Sequence, residues 1–162
     1  MHSGQVRRNN FMQDGFAPWT GRASVKLTGV PAHLPRQTDI IDQVFWMMRR
    51  STQPHGIPDE ELVRDAFIDT SQSVLRSRPS QPCTPTFTSS SIVYSYQHDV
   101  LLTGGSVLQI MGWPQRAFPP SVLTDAECRS LGGDSFSVQF ATLIQQCCIC
   151  NPWGPWWHRQ RA

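Results

Sequence analysis

The sequence predicts an α/β fold, because segments with helical periodicity alternate with one segment of clear strand character. Apolar residues recur at helical spacing after Thr38, and residues 91–96 are rich in β-branched and aromatic side chains. The 162 residues, 39% of them hydrophobic, are enough for one modest core and a single domain. Thirteen prolines and eleven glycines predict a loop-rich protein.

The N-terminal segment, residues 1–36, shows neither helical nor strand periodicity and predicts an irregular arm. The first helix is expected to begin near Thr38, which would cap it, and to end with Arg49 and Arg50, the charge polarity that a helix dipole favours. Its apolar residues form one broad face, consisting of Ile40, Ile41, Val44, Phe45, Met47 and Met48. We predict that this face packs into the core.

Further elements follow along the chain. A second helix is predicted over residues 58–68, since proline is tolerated in a first turn and acidic residues follow it. Residues 91–96 are the best strand candidate, and residues 103–112 form a short helical segment.

Two local signals define the remaining helices. Thr124 and Glu127 have the spacing of a capping box, and Gly132 with Gly133 is expected to end the helix that the box begins. A last helix is predicted over residues 136–148, with five residues at helical spacing on one side: Phe136, Phe140, Leu143, Ile144 and Cys147.

Six segments between residues 68 and 138 form an ordered series. They are Ile-Asp-Thr-Ser-Gln-Ser at 68–73, Pro-Cys-Thr-Pro-Thr at 82–86, Leu-Leu-Thr-Gly at 101–104, Leu-Gln-Ile-Met-Gly-Trp-Pro at 108–114, Leu-Thr-Asp-Ala-Glu at 123–127 and Leu-Gly-Gly-Asp-Ser-Phe-Ser-Val at 131–138. In order and spacing the series resembles the C-terminal end of a cytosine-5 DNA methyltransferase. The resemblance implies a partial C-terminal portion of a Rossmann-like methyltransferase domain over residues 37–150, followed by a Trp-rich tail over residues 151–162.

The last segment of the series is similar to the family's glycine-asparagine-serine turn, which lines the S-adenosylmethionine pocket there. The resemblance implies S-adenosylmethionine as the cofactor and contacts from Gly133, Asp134, Ser135, Ser137 and Val138. Asp134 stands where the family has asparagine, and an ionised carboxylate only accepts hydrogen bonds. A purely structural helix stop before a serine-capped helix is the alternative for this turn.

DNA is the partner that the resemblance implies. Thr84 and Thr86 lie in the segment similar to the threonine-containing turn that ends the family's target-recognition region. The segment Gln5-Val6-Arg7-Arg8 is similar to a glutamine-and-arginine motif that orients the target base in the family, and Arg7 and Arg8 would contact phosphate instead of bases. A solvated arginine pair is the alternative.

The residues that carry out chemistry in the family are missing. The sequence contains no Gly-x-Gly, no Pro-Cys-Gln and no Glu-Asn-Val, and Cys83 lies in Pro-Cys-Thr, so a structural role is predicted for it. No catalytic residue is therefore assigned. We expect a truncated or degenerate part, inactive alone, whose catalytic half a second chain would have to carry. A non-catalytic interaction protein with a relic methyltransferase segment is the alternative.

The apolar runs argue against a membrane-spanning or secreted protein, whereas the net charge does not discriminate between classes. The formal net charge of +2 neither supports nor excludes DNA binding. No apolar run reaches the roughly 18 to 20 residues that a membrane span needs, and the first ten residues lack the apolar core of a signal peptide. A soluble intracellular protein is expected, nuclear in a eukaryote.

The cysteine pattern predicts reduced thiols and no metal. Five cysteines are an odd number, with three crowded into residues 147–150. These three and His158 are zinc-type ligands, but structural zinc sites use a second closely spaced pair, which the sequence lacks. A cysteine-based metal module is therefore the least favoured hypothesis.

Overall fold

The computed structural model describes residues 15, 17–31, 34–52, 55–73, 75–114, 122–134 and 141–146, and the chain divides into two compact units after Leu102. Helices are combined with a small antiparallel three-stranded sheet, so the α/β prediction is confirmed at that level. The predicted boundaries after residues 36 and 150 stay predictions, and the tail at 151–162 lies outside the described residues.

The long helix of the N-terminal unit, α1, spans Pro35–Thr52. It begins three residues before the predicted cap, and the Thr38 hydroxyl donates to the carbonyl of Pro35 at 2.8 Å from within its first turn. The predicted apolar face is confirmed, because five of its members are buried, namely Ile40, Ile41, Val44, Phe45 and Met48.

A short helix, α2, spans Asp59–Leu62, so the predicted helix over residues 58–68 is wrong beyond its first turn. Asp65 has φ of 54°, a left-handed conformation that a right-handed helix cannot contain. The chain then enters a strand, in which Phe67 exchanges backbone hydrogen bonds with Ser80 at 3.0 and 2.9 Å. Pairing with distant residues thus overrides the local preference.

The sheet contains β1 (Phe67–Asp69), β2 (Val93–Ser95) and β3 (Val100–Leu101) in the order β1-β2-β3, with both neighbouring pairs antiparallel. All three residues of β2 are buried, and the strand predicted over 91–96 is confirmed for its central part, Val93–Ser95. Residues 70–92 connect β1 to β2, and we call this connection the β1–β2 excursion.

An aromatic cluster fills the core between α1 and the sheet. Trp19, in a 3₁₀ helix at Trp19–Gly21, lies 5.2 Å from the Phe45 ring and 5.5 Å from the Tyr96 ring. Its indole N–H donates to the Tyr94 hydroxyl at 2.9 Å, and the Tyr96 hydroxyl donates to the carbonyl of Ile41 at 2.6 Å. Part of the predicted irregular arm therefore belongs to the hydrophobic core.

Ion pairs connect the arm to both helices of this unit. Asp59, at the start of α2, accepts a hydrogen bond from Arg22 and forms an ion pair with Arg49 at the end of α1. The Arg22 guanidinium also lies 4.6 Å from the centre of the Phe45 ring. Cation and carboxylate are partly buried together, which favours a fixed position of the arm.

The C-terminal unit contains α3 (Gly104–Ile110) and α4 (Asp125–Asp134). The helical segment predicted over 103–112 is confirmed, with Thr103 as its cap. The predicted stop at Gly132 and Gly133 is wrong, because α4 continues through both glycines. Gly132 is buried in α4, and a Cβ added there would meet Cγ1 of Val107 at 2.7 Å. This glycine serves close helix packing instead of ending the helix.

Residues 141–146 are helical, which agrees with the described part of the predicted last helix; residues 135–140 and 147–150 lie outside the described residues. Leu143 and Ile144 are exposed by 56% and 47%. None of the helices that the structure describes combines the length and the apolar composition of a membrane span.

Candidate functional site

Helices α3 and α4 meet at Gly104, where α3 begins. A Cβ added to Gly104 would lie 2.1 Å from the carbonyl oxygen of Asp125 and 2.7 Å from the backbone nitrogen of Arg129. The backbone N–H of Gly104 donates to the Asp125 carboxylate at 2.5 Å. Only glycine allows this approach, and the start of α3 is therefore fixed directly against the first turns of α4.

Each helix start is capped by a threonine. The Thr103 hydroxyl accepts from the backbone N–H of Ser106 at 3.1 Å. In the predicted capping box, the backbone N–H of Thr124 donates to Glu127 at 2.7 Å and the N–H of Glu127 donates to the Thr124 hydroxyl at 3.3 Å. The capping box is confirmed. The Thr124 N–H and hydroxyl both donate to the exposed Glu127 carboxylate, which holds the pKa of Glu127 below its usual value.

A cavity of about 500 Å³ lies beside these helix starts, and we call it the α3–α4 cavity. Its polar lining comes from Thr103, Ser106, Gln109, Thr124 and Asp125, and its apolar lining from Leu108, Trp113, Pro114, Leu123 and Cys128. A volume of this size, with an apolar wall and a few polar groups, is typical of a site for a small organic molecule.

The charge in this cavity is balanced. Asp125 contributes the one carboxylate of the lining, and Arg129, one turn further along α4, donates to it at 2.5 Å. The Gly104 N–H donates to its other oxygen. Since both carboxylate oxygens have partners, the lining favours a largely neutral ligand. Within the described ranges, no three His, Cys, Asp or Glu side chains come together as a metal site would need.

Two residues with a predicted cofactor role are described, and neither of them lines this cavity. Gly133 and Asp134 form the end of α4, where Gly133 is partly buried and Asp134 is exposed. The Ser130 hydroxyl lies 3.5 Å from the Asp134 carboxylate. The other three predicted residues, Ser135, Ser137 and Val138, lie outside the described residues.

The predicted DNA contacts lie in the N-terminal unit. Thr84 and Thr86 belong to the β1–β2 excursion, where Thr86 is exposed and Thr84 is partly buried. Cys83, beside them, is an exposed free thiol. Arg7 and Arg8 lie outside the described residues.

Asp69 closes the base of the β1–β2 excursion. Its buried carboxylate accepts from the Ser71 N–H at 2.9 Å, the Ser91 hydroxyl at 3.0 Å and the Ile92 N–H at 3.1 Å. Burial opposes ionisation, but the hydrogen bonds from Ser71, Ile92 and Ser91 outweigh it and hold the pKa of Asp69 below its usual value. Both oxygens of the Asp69 carboxylate are thus engaged in hydrogen bonds within the protein, and we assign it a structural role.

Tyr94 is another buried titratable group without a catalytic geometry. Its hydroxyl donates to Asp99 at 2.6 Å and accepts from Trp19. Burial and the neighbouring Asp99 carboxylate raise the pKa of Tyr94 far above its usual value, so the phenol stays neutral. Asp99 in turn accepts from the backbone N–H of Leu27 at 3.0 Å, which makes this network part of the core.

No protein-family model, curated protein or solved structure matches this chain. The likeness to methyltransferases therefore depends on the six segments between residues 68 and 138. Sequence reasoning did not identify the α3–α4 cavity. The signal for it in the sequence was the pair of capped helix starts, Thr103 and Thr124, which belong to the third and fifth segments of that series.

Proposed function

We propose that the chain is the target-recognition and C-terminal part of a cytosine-5 DNA methyltransferase-like protein, and that it transfers no methyl group alone. The observation that carries the proposal is the packing of the last segments of the series. Residues 103–114 and 123–134 contain α3 and α4, which meet at Gly104 and Gly132 and border a cavity. Segments that resemble successive motifs thus form one packed unit.

The proposed cofactor is S-adenosylmethionine, which would supply the methyl group. Asp134 is exposed at the end of α4, and its carboxylate can accept hydrogen bonds from an amino or ribose hydroxyl group. An asparagine would add a donor that the aspartate lacks. We therefore expect Asp134 to weaken the binding of this cofactor relative to an asparagine at the same position.

The proposed contact with DNA is made by the β1–β2 excursion. Thr84 and Thr86 lie in it, beyond the point where the Asp69 carboxylate holds its two ends together by hydrogen bonds. Catalysis is assigned to a second chain, because the sequence has no Pro-Cys-Gln to supply a cysteine nucleophile. In this proposal the chain provides one wall of a DNA cleft and the partner provides the reactive half.

Calorimetric titration with S-adenosylmethionine tests the cofactor role. The wild-type protein is expected to bind weakly, and Asp134→Asn is expected to bind more tightly because it restores a hydrogen-bond donor. Asp65→Asn, which neutralises another exposed carboxylate, is the matched control and should bind like the wild type. Absence of heat above dilution at near-millimolar ligand for the wild type and Asp134→Asn alike would contradict the cofactor role.

A gel shift with duplex DNA at low salt tests the recognition role separately. We expect retarded complexes that dissociate as salt rises, because contacts to phosphate release counterions. Complete absence of retardation would contradict DNA recognition and favour the second candidate.

The second candidate is a non-catalytic interaction protein that retains a relic methyltransferase segment. It is favoured by exposed hydrophobic side chains in the C-terminal unit, which among the described residues are Ile110, Val122, Leu131, Leu143 and Ile144. Leu143 and Ile144 are neighbours in one helical stretch, and exposed apolar residues that lie together are typical of binding surfaces. Light scattering would support this candidate if the protein associates without DNA and Leu143→Ser with Ile144→Ser abolishes the association.

A further inference from the structure

The β1–β2 excursion has an unusual charge composition. Residues 70–92 include two arginines, eleven serines and threonines, and no aspartate or glutamate. We propose that the excursion binds the phosphate backbone of nucleic acid and that Arg76 and Arg78 are its charged contacts. This inference rests on the proposed DNA-recognition function and adds two contact residues that the resemblance to methyltransferases does not identify.

The base of the excursion is held by hydrogen bonds on both sides. The Thr70 hydroxyl donates to the carbonyl of Ile92 at 2.8 Å, next to the contacts of Asp69. The Arg36 guanidinium donates to the carbonyls of Ser71 at 3.0 Å and Gln72 at 2.7 Å. A segment whose ends are already ordered loses less conformational entropy when it binds.

The middle of the excursion is also attached to the body of the unit. Ser80 pairs with Phe67, and the Gln81 side-chain amide donates to the carbonyl of Arg64 at 2.5 Å. Arg76 and Arg78 therefore lie between two attached parts of the excursion, the hydrogen-bonded residues 70–72 before them and Ser80 after them. The two arginines are thus presented from a short, doubly anchored segment.

Both arginine side chains are exposed to solvent. The Arg78 guanidinium donates from one nitrogen to the carbonyls of Leu75 at 3.1 Å and Ser77 at 2.9 Å, which orients the side chain while its charge remains. The excursion itself contains no carboxylate that could neutralise this charge. An anionic partner complements it.

The other exposed residues of the excursion favour phosphate over an acidic peptide as the partner. Exposed residues with hydroxyl groups follow on the same excursion, namely Thr86, Thr88, Ser89 and Ser90. Arginines, hydroxyl groups and backbone N–H groups are the donors that contact phosphate in protein–DNA complexes. A peptide interface usually has an apolar centre, whereas among the described residues of the excursion Leu75 alone is a large exposed hydrophobic residue.

The test measures binding of a fluorescent DNA duplex by anisotropy at several salt concentrations. The wild type is compared with the double variant Arg76→Gln/Arg78→Gln. Each phosphate contact contributes about 0.9 to the slope of log affinity against log salt, so losing two contacts should reduce the slope by about 1.8. The loss should be the same for duplexes of different sequence, because phosphate contacts carry no base information.

The matched control is Lys26→Gln/Arg50→Gln, which removes two exposed cations of the same unit outside the excursion. It should keep the wild-type slope. Both double variants should unfold at the wild-type temperature, which circular dichroism checks. Equal slopes for the wild type and Arg76→Gln/Arg78→Gln would overturn this inference while the proposed function stands.

Two further outcomes are decisive. If the wild type does not bind duplex DNA at low salt, the inference and the DNA-recognition role both fail, whereas cofactor binding is judged separately by calorimetry. Polyglutamate is included as a competitor at equal charge concentration. Displacement of DNA by polyglutamate as effectively as by unlabelled duplex would overturn the assignment to nucleic acid and indicate an acidic protein partner.

Discussion

Replacing Gly104 by alanine tests the packing that forms the α3–α4 cavity. The new methyl group would lie 2.1 Å from the carbonyl oxygen of Asp125 and 2.7 Å from both the Arg129 nitrogen and the Cys128 Cβ. Two of these three atoms belong to the backbone, which cannot turn away as a flexible side chain can. The helices have to move apart, and the hydrogen bond from the Gly104 N–H to Asp125 is weakened.

The expected change in the free energy of unfolding is the sum of three contributions, of which two are destabilising and one is stabilising. Overpacking costs about 1 to 3 kcal/mol, and loss of the Gly104 hydrogen bond costs about 1 kcal/mol. Alanine in place of glycine in a helix returns about 0.5 to 1 kcal/mol. We expect the free energy of unfolding of the C-terminal unit to fall by about 1 to 3 kcal/mol.

Urea denaturation followed by circular dichroism measures this change. Gly105→Ala is the matched control, since the nearest atom to its added Cβ is the Thr103 hydroxyl oxygen at 3.8 Å. The control should be neutral or stabilised by about 0.4 to 1 kcal/mol, because alanine restricts the unfolded chain. If the two variants unfold at the same urea concentration, the close approach of α3 to α4 is refuted.

Four other substitutions give direct tests. Gly132→Ala should destabilise by about 1 kcal/mol, less than Gly104→Ala, because its added methyl meets the movable Val107 side chain; urea denaturation measures this. Asp69→Asn should destabilise by about 1 to 3 kcal/mol, because buried donors lose their charged acceptor. Because the pKa of Asp69 is lowered in the folded state, its ionised carboxylate stabilises the fold fully at pH values above the ordinary pKa of 3.8. This stabilisation is lost as the pH falls through the folded-state pKa, so the wild type should approach Asp69→Asn in stability on acidification. Thr124→Ala should destabilise by about 1 kcal/mol through loss of the cap, and thermal unfolding measures this. Trp19→Ala should destabilise the N-terminal unit by about 3 to 5 kcal/mol and remove one tryptophan fluorescence signal that is shielded from solvent.

Each of these tests has an outcome that contradicts it. Gly132→Ala would refute the contact with Val107 if it were more stable than the wild type. A constant difference between Asp69→Asn and the wild type from neutral pH to below pH 3.8 would exclude the linkage at Asp69. Thr124→Ser should keep the wild-type stability, since serine caps as well as threonine. Trp19→Phe should lose less stability than Trp19→Ala, and equal losses would show that packing of the ring is unimportant.

Local signals in the sequence predicted several elements well. The broad apolar face of α1, the β-branched residues around Val93 and the capping box at Thr124 all depend on residues within a few positions of one another. Backbone conformation at such elements follows from the side chains and caps themselves. The sequence could therefore predict that these elements exist, although α1 begins at Pro35, three residues before the predicted cap.

Long-range contacts decided the rest. Residues 67–69 form a strand because Ile68 pairs with Tyr94, a partner that no local pattern indicates. Gly132 remains helical because it lies against Val107, and that contact needs both helices in place. The α3–α4 cavity depends on the same packing. A sequence can show that Thr103 and Thr124 cap helices, but the space beside them exists only after the helices meet.

The burial of Trp19 also limits where a shortened version of this protein can begin. A version limited to residues 37–150 would lack the indole that touches Phe45, Tyr94 and Tyr96, and the phenol of Tyr94 would lose its donor. Such a shortened chain would have an open hole in its interior, and supplying the missing peptide separately could restore it. The segment before α1 therefore serves as an internal plug, and recombinant versions of this unit should begin upstream of residue 17.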